Sequence, residues 1–349
     1  MNKRFVWIWV VALWVMVIGW SGCSGPNGGN EQSASPAAAA ASANPAIAYI
    51  GNILKPGLTE LRVMNGDGSN QTTITQADYS PSWSPDGKSI AFDRGNRTGN
   101  FINGDEIWRV DVAVVNGKPT GSNERLLVPY AVCNVYCNYP AWSPLGNEIA
   151  FQAWTASGLV AIMVVPATGG TPTTLITAPD AQTRYGAFAW RSDGSQLAVA
   201  TKVCTPDCVN HRSTDSIQIV DRATGTVVNT LLQGQIYWNG WSISWARGRD
   251  TLAFTAELFD ASGIPIYPPH IYTVDIPSGS PILVTNGGQF GAKTPSWSPD
   301  NSKLVYIYLG TYQGKTADFA GPVNTITLAT GATATLAPPY TEWPDWRRF

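Results

Sequence analysis

The sequence predicts an all-β fold, a six-bladed β-propeller built from four-stranded blades. Three observations predict it: one sequence unit recurs along the chain, its copies are spaced by about one blade, and a last copy is divided between the two ends. The unit is Pro81–Arg94, P-S-W-S-P-D-G-K-S-I-A-F-D-R. It predicts a strand that carries the tryptophan, a tight turn at Pro-Asp-Gly and a second, apolar strand.

Five tryptophans mark the complete copies of the unit. They are Trp83, Trp142, Trp190, Trp245 and Trp297, at intervals of 59, 48, 55 and 52 residues. A period of about 50 residues that begins with a hairpin is typical of propeller blades and not of helical solenoids. Because these tryptophans recur in register, we expect them in the core.

The sixth copy is divided between the chain ends. Pro344–Trp346 matches the tryptophan strand, and Ala46–Tyr49 matches the apolar strand. We expect the strand around Trp346 to pair with the strand around Ile47, so that one blade is completed from both ends and the ring is closed. Closure would remove the exposed sheet edges of an open array.

Two more strands are expected in each blade. A third with an x-I-x-x-V-D pattern and a fourth rich in Thr and Leu follow each unit. The segments between second and third strands, such as Arg94–Asp105, are expected to be loops that emerge with the blade-to-blade connections on one side, the loop face. Since variable loops on a rigid scaffold often bind ligands, we expect the function on the loop face.

The W-S-P-D-G-x-x-I-A-F unit resembles the TolB-type β-propeller repeat, which is found in TolB and in the propellers of prolyl oligopeptidase-like enzymes. The resemblance extends from about residue 45 to Phe349. It implies a scaffold that engages a protein or peptide of the cell envelope. Propellers host unrelated activities, so the resemblance indicates the fold more strongly than the function.

Composition agrees with one large all-β domain. The chain has 34 Gly and 25 Pro, with 13% charged and 11% aromatic residues, which suits many turns. About 300 residues in one ring can form a core without a metal or a partner, so we expect a monomer. The net charge of −2 and the lack of a basic stripe argue against nucleic-acid binding.

The N-terminus is interpreted as a lipoprotein signal peptide, residues 1–22. Lys3 and Arg4 precede a short apolar stretch, and Ser21-Gly22-Cys23 follows it. Trp20–Cys23 resembles a lipobox in which Cys23 is the site of lipid attachment, although Leu is usual at the position of Trp20. The alternative is an uncleaved anchor, for which the apolar stretch is short. Both interpretations place the rest of the protein outside the cytoplasm.

Residues 23–44 are predicted to be a flexible tether, and residues 45–349 the propeller. The tether contains mainly Ser, Gly, Ala, Asn and Pro, with one charge at Glu31. Ser24 follows Cys23, and no Asp stands there to resemble an inner-membrane retention signal. We therefore expect an exported protein that is lipid-anchored in the outer membrane, on its periplasmic or cell-surface side.

Four further cysteines form two C-x-x-x-C motifs, Cys133/Cys137 and Cys204/Cys208. An even number of cysteines outside the cytoplasm favours disulfides, and we expect a local one within each motif. Pairing between the two motifs is an alternative. A metal site that uses both cysteine pairs or adds His211 is another, although C-x-x-x-C is not the usual zinc spacing.

Aromatic residues outside the unit are the candidate ligand-binding residues of the loop face. Aromatic side chains offer rigid contact area and suit peptide or sugar recognition. The alternative is that they fill gaps between blades. The candidates are Tyr139, Trp154, Tyr185, Trp238, Trp241, Phe290 and Trp343.

No catalytic constellation is recognised, so we expect no enzyme activity, no cofactor and no metal. His211 and His270 are the only histidines, and a G-x-S-x-G motif is absent. Carboxylates near the loop face could form a glycosidase pair, but we interpret them as solvated loop charges. They are Asp105, Glu106, Asp207, Asp215, Glu257, Asp260 and Asp318.

Two functions follow from the sequence. The first is a non-catalytic, lipid-anchored envelope protein whose loop face binds a protein or peptide. The second is a carbohydrate-binding or carbohydrate-active envelope protein. Contact with the membrane is expected through the lipid anchor only.

Overall fold

The structure is a computed structural model. It describes residues 46–53, 59–98, 101–133, 136–154, 159–204, 213–237, 242–258, 268–285, 291–312, 315–316 and 321–347. These residues belong to one compact unit, Ala41–Phe349. The predicted signal peptide, Cys23 and the tether lie outside the described residues.

Antiparallel strands account for nearly all of the described secondary structure. The chain starts with β1 (Ile47–Gly51), β2 (Glu60–Met64) and β3 (Thr72–Gln76). The next sheet contains β4 (Tyr79–Trp83), β5 (Ser89–Thr98), β6 (Phe101–Val115) and β7 (Lys118–Val128). After the short helix α1 (Tyr130–Cys133) comes the sheet of β8 (Cys137–Trp142), β9 (Glu148–Trp154), β10 (Val160–Pro166) and β11 (Thr173–Thr177).

The second half of the chain repeats this arrangement. One sheet contains β12 (Thr183–Trp190), β13 (Gln196–Cys204), β14 (Ser213–Asp221) and β15 (Val227–Leu231). The following sheet contains β16 (Ile236–Tyr237), β17 (Ile243–Trp245), β18 (Thr251–Leu258), β19 (His270–Asp275) and β20 (Ile282–Leu283). The last strands are β21 (Gly291–Trp297), β22 (Lys303–Leu309), β23 (Thr311–Tyr312), β24 (Lys315–Thr316), β25 (Gly321–Thr327) and β26 (Thr333–Trp346).

Strands from the two chain ends share a seven-stranded sheet in the order β21-β22-β25-β26-β1-β2-β3. The long strand β26 pairs with β25 along its first part and with β1 along its last part, where Ile47 lies opposite Trp346. The predicted all-β propeller of four-stranded blades is confirmed. The sheets do not form six separate blades, because the long strand β26 joins β21, β22 and β25 to β1, β2 and β3 in one sheet.

The prediction of a loop at Arg94–Asp105 is wrong. The second and third strands continue their ladder into this segment, with Arg94 opposite Glu106 and Gly95 opposite Asp105. The ladder extends to the pair Thr98–Phe101. Continued pairing satisfies backbone groups that a loop would leave to water.

Six hydrophobic clusters among the described residues form the core, and each joins strands that follow one another in the chain. Strand β5 shows how alternation produces this arrangement. Ile90 and Phe92 pack toward β1 and β2, whereas Ala91 packs toward β8 and β9. The cluster of Ile47 and Tyr49 with Val305 and Ile307 joins the two ends of the chain.

The unit's tryptophans lie in this core, each at most 8% exposed. Their strands are the innermost of the sheets, and their turns, such as Ser84–Lys88, emerge on the side that we call the turn face. The opposite ends of the blades form the loop face, with α1 and the first residues of each inner strand. Within the described ranges, no helix is long and apolar enough to cross a membrane.

Candidate functional site

A channel runs between the inner strands and is the candidate site. Six strands contribute to its wall: β4, β8, β12, β17, β21 and β26. Each contributes the three residues that precede its tryptophan, for example Ser80-Pro81-Ser82 on β4 and Trp343-Pro344-Asp345 on β26. The cavity measures ≈ 650 Å³ up to its open mouths.

A backbone bulge turns the inner strands toward the channel. Ser80, Tyr139, Thr294 and Trp343 have positive φ angles of 45°, 53°, 56° and 52°. Each precedes a proline, and the strand register shifts there in β4, β8 and β21. A positive φ is uncommon for residues other than glycine, and bulges often re-aim side chains next to binding sites. The repeated bulge therefore sets which side chains enter the channel.

Hydrogen bonds link neighbouring inner strands around the channel. The backbone N–H of Trp142 donates to Ser82 Oγ at 2.9 Å, and that of Trp346 donates to Ser296 Oγ at 3.0 Å. Asp345 Oδ2 accepts the N–H of Trp83 at 2.9 Å. At these three positions the residue before a tryptophan thus holds the tryptophan strand of the next blade, which makes this part of the channel rigid.

Aromatic side chains narrow the mouth of the channel at the loop face. The rings of Tyr139 and Trp343 lie 5.5 Å apart at 56°. Both are partly buried against core clusters. Tyr79 begins β4 beside them and is 48% exposed. The mouth therefore offers a rigid aromatic pair and one accessible phenol.

Carboxyl groups surround these aromatic residues. Burial raises the pKa of the Tyr79 phenol, and four carboxyl groups add to this rise: Asp78, Asp105, Asp93 and Glu342. Burial also raises the pKa of Tyr139, and Asp93 adds to this rise. Lys293 forms an ion pair with Glu342. Because Glu342 is paired and Asp93 retains its proton, the negative charge at the mouth comes from Asp78 and Asp105, which favours a cationic ligand group.

Polar atoms at the mouth have no hydrogen-bond partner among the described residues. They are Ser80 Oγ, Asp93 Oδ1 and Trp343 Nε1. The other oxygen of Asp93 accepts the backbone N–H of Tyr139 at 3.3 Å. Because buried polar groups are normally paired, these three atoms are candidates for contact with a ligand.

Burial raises the pKa of the fully buried Asp93 carboxyl well above its ordinary value of 3.8, and the charge of Asp105 adds to this rise. The folded state therefore retains the proton over a pH range in which the unfolded chain releases it. Asp93 consequently costs stability as pH rises from about 4 through its folded-state pKa.

We expect Asp93→Asn to gain stability relative to wild type, by an amount that grows as pH rises between about pH 4 and pH 8, because Asn has no proton to release. Urea unfolding across this range measures it. The control is Asp193→Asn, because hydrogen bonds from Ser195 lower the pKa of that turn carboxylate and reverse the sign. A stability difference for Asp93→Asn that is independent of pH would contradict the prediction.

Only two of the predicted ligand-binding residues lie at the channel mouth in the part of the chain that the structure describes. Tyr139 and Trp343 lie together at the channel mouth. Trp154 is partly buried beneath the guanidinium of Arg184, 5.3 Å from its ring centre. Tyr185 is 3% exposed and packs in a core cluster, where burial raises its pKa to about 12. Trp238, Trp241 and Phe290 lie outside the described residues.

Sequence reasoning missed Tyr79. Its position in the sequence could have identified it, because Tyr79 directly precedes Ser80, where the first unit has its bulge. Tyr136 on the connection to β8 was also missed and is 42% exposed. Its backbone forms an isolated bridge with Asp105, which brings this connection to the mouth.

The interpretation of the carboxylates as solvated loop charges is wrong for the four that the structure describes. Asp105, Glu106, Asp215 and Glu257 are all at most 9% exposed, because strands continue through their segments. Asp207, Asp260 and Asp318 lie outside the described residues.

The described residues contain no group of three or more His, Cys, Asp and Glu side chains that could hold a metal ion. Cys133 and Cys137 form the expected local disulfide, with Cα atoms 5.4 Å apart, so their thiolates are not available as metal ligands. Cys204 is also disulfide-bonded, while Cys208 and His211 lie outside the described residues. His270 is buried, which lowers its pKa.

The fold is similar to that of solved TolB structures. TolB from Acinetobacter baumannii is 16% identical with a TM-score of 0.59, over 87% of this chain and 66%, just under two thirds, of that chain. A TolB candidate from Agrobacterium tumefaciens is 16% identical with a TM-score of 0.53, over 87% of this chain and 99% of that chain. No protein-family model and no curated protein matches the chain. At this identity the similarity indicates the fold alone.

Proposed function

We propose that this protein is a non-catalytic binding protein of the cell envelope, and that the channel mouth on its loop face binds a Lys- or Arg-bearing peptide segment of a protein partner. The observation that carries this proposal is the aromatic pair Tyr139–Trp343 beside the exposed Tyr79, with carboxyl groups around it. Aromatic faces and carboxylates together attract ammonium and guanidinium groups.

The unpaired polar atoms extend this proposal to the peptide backbone. Trp343 Nε1 is a donor that a peptide carbonyl can satisfy, and Ser80 Oγ can donate or accept. The bulges hold both residues on strands rather than on loops. A site on strands is pre-organised, which lowers the entropy cost of binding.

We propose that the propeller has six blades in a closed ring, with β26 belonging to two of them. The pairing of Ile47 with Trp346 supports closure. The hydrogen bonds from Trp83 to Asp345 and from Trp346 to Ser296 support it on both sides of the seam. Six core clusters among the described residues match six gaps between blades.

Export and lipid attachment at Cys23 remain proposals from the sequence. The charged and apolar N-terminal residues and the lipobox-like Trp20–Cys23 support them. We propose an outer-membrane lipid anchor and a monomeric propeller, with no role for nucleic acid.

A carbohydrate is the second candidate ligand. Sugar hydroxyls could pair with Ser80 Oγ and Asp93 Oδ1, and a sugar ring could stack on an aromatic face. The carboxyl groups favour the cationic peptide over a neutral sugar.

The test combines a pull-down from envelope extract with a glycan array, using the chain from Glu31 onward. We expect a protein partner whose Lys- or Arg-bearing peptide binds the propeller in a salt-sensitive manner. Tyr79→Ala and Trp343→Ala should each weaken this binding at least about tenfold, because each removes an aromatic contact. Tyr130→Ala, an exposed tyrosine on α1, is the matched control and should bind like wild type.

Thermal melts of the variants separate binding from folding. Tyr79 is exposed, so its variant should melt like wild type. A glycan hit without a protein partner, or equal binding by Tyr79→Ala and Tyr130→Ala, would overturn the proposal.

A further inference from the structure

The hairpin of β6 and β7 extends beyond its sheet at the turn face. Strand β5 begins at Ser89, which lies opposite Asp111, whereas β6 continues to Val115. The N–H of Val112 donates to the carbonyl of Lys88 at 2.7 Å. Beyond Val112, β6 pairs only with β7 among the described residues, so its other edge is open.

The register identifies the backbone groups on this open edge. Val115 and Lys118 close a turn at Asn116-Gly117, where both φ angles are positive at 51° and 77°. Such two-residue turns are closed by a hydrogen-bonded pair, and hydrogen-bonded and non-hydrogen-bonded pairs alternate along an antiparallel ladder. Val114 and Pro119 are therefore a non-hydrogen-bonded pair, which agrees with the missing N–H of proline. The N–H and C=O of Val114 point away from β7.

A groove lies along this edge. Its walls include Asp86, Gly87, Lys88, Val112, Val114 and Arg347, and we call it the β6 edge groove. Its volume is ≈ 1080 Å³, including solvent space at its open side. It is separate from the channel, because none of the channel-lining residues forms its wall.

Arg347 brings a half-buried guanidinium to the β6 edge groove. Its guanidinium packs on Gly87 and lies over the ring of Trp83, 5.9 Å from the centre. Arg347 Nε is buried without a hydrogen-bond partner, and no described carboxylate forms an ion pair with it. Burial lowers the pKa of Arg347, and the charge of Asp86 opposes this shift without forming an ion pair. A carboxylate that pairs with this guanidinium would form charge-assisted hydrogen bonds, which are stronger than neutral ones.

The groove's own carboxylates are already engaged. Asp86 accepts hydrogen bonds from Ser84 Oγ and from the N–H of Lys88. Asp111 forms an ion pair with Arg109 and accepts from Ser89 and Asn123. Lys88 is exposed and adds a second positive charge. The groove therefore complements an anionic ligand, although the chain as a whole is slightly acidic.

We propose that the β6 edge groove binds an extended acidic peptide segment as an added strand, with its backbone on Val114 and a carboxylate on Arg347. Strand addition to an open edge is a common mode of peptide recognition. Residues opposite each other on neighbouring strands share a face of the sheet. Val112 packs in the cluster that contains Trp83, the ring beneath Arg347, so an acidic side chain opposite Val114 lies on the Arg347 side.

Fluorescence anisotropy on the chain from Glu31 onward tests the proposal with a labelled peptide of alternating valine and glutamate. We expect saturable binding that Arg347→Gln weakens by about tenfold or more through loss of the charged pair. Val114→Pro should weaken it similarly, because proline removes the edge N–H but is tolerated on an open edge. Arg125→Gln, an exposed arginine on β7, is the matched control and should bind like wild type.

Two further measurements keep the test decisive. A peptide of alternating valine and glutamine should bind about tenfold more weakly than the glutamate peptide. Amide hydrogen exchange at Val114 should slow on binding, and this does not depend on any variant folding. Equal binding of both peptides, an unchanged affinity in Arg347→Gln, or no saturable binding by wild type would each overturn the proposal.

Discussion

Replacing Trp346 with alanine is expected to lower the free energy of unfolding by about 3 to 5 kcal/mol. The side chain is 7% exposed and packs with Ile47, Tyr49 and Val305, residues from both ends of the chain. Its loss leaves a cavity where the terminal strands meet. Urea denaturation followed by tryptophan fluorescence or circular dichroism measures the change.

Trp297→Ala is the matched comparison for this effect. Trp297 occupies the same position of the sequence unit, is 8% exposed, and lies on β21 away from the chain ends. If the terminal strands pair in solution, the two variants should lose similar stability. A loss below about 1 kcal/mol for Trp346→Ala beside a full loss for Trp297→Ala would mean that the terminal strand does not contribute to the fold.

Replacing Asp215 with alanine is expected to lower the free energy of unfolding by about 3 to 5 kcal/mol. Urea denaturation measures this change as well. Asp215 is fully buried and lies 3.6 Å from Nζ of Lys202, whose side chain is 8% exposed. Burial lowers the pKa of Lys202, and the Asp215 charge opposes this shift. Without Asp215, the ammonium group of Lys202 loses a buried counter-charge, although Glu257 still acts on it.

The double variant Lys202→Met/Asp215→Ala distinguishes this explanation from loss of packing. Removing both charges should recover much of the stability lost in Asp215→Ala, because the buried ammonium is then absent. Lys202→Ala/Asp215→Ala removes the stem as well and controls for packing. If the Met double variant is no more stable than Asp215→Ala, a buried charge is not the cause of the loss.

The inner strands could be predicted from the sequence, because each unit combines residues that favour a tight turn with strands in which apolar residues alternate between the two faces. In the first copy, Ser84 Oγ donates a hydrogen bond to Asp86, which fixes the turn between the two strands. The pairing partner of Trp346 could be predicted since each half of the divided unit lacked the other. The local disulfide of Cys133 and Cys137 followed from their spacing.

The site was less predictable than the fold. The burial of Asp93 and Asp105 depends on strands that extend beyond the repeated unit, and no periodic pattern marks where a ladder ends. The bulges at Tyr139 and Trp343 place their rings in contact although 204 positions separate them in the sequence. Sequence reasoning identified both as candidates but could not predict that they would meet.

The strand shared by the two ends also sets when folding can finish. Strand β1 needs the last residues of the chain as its neighbour, so its sheet cannot be completed until synthesis has reached the C-terminus. Earlier blades can form hairpins during translation, but the final cooperative step waits for the whole polypeptide.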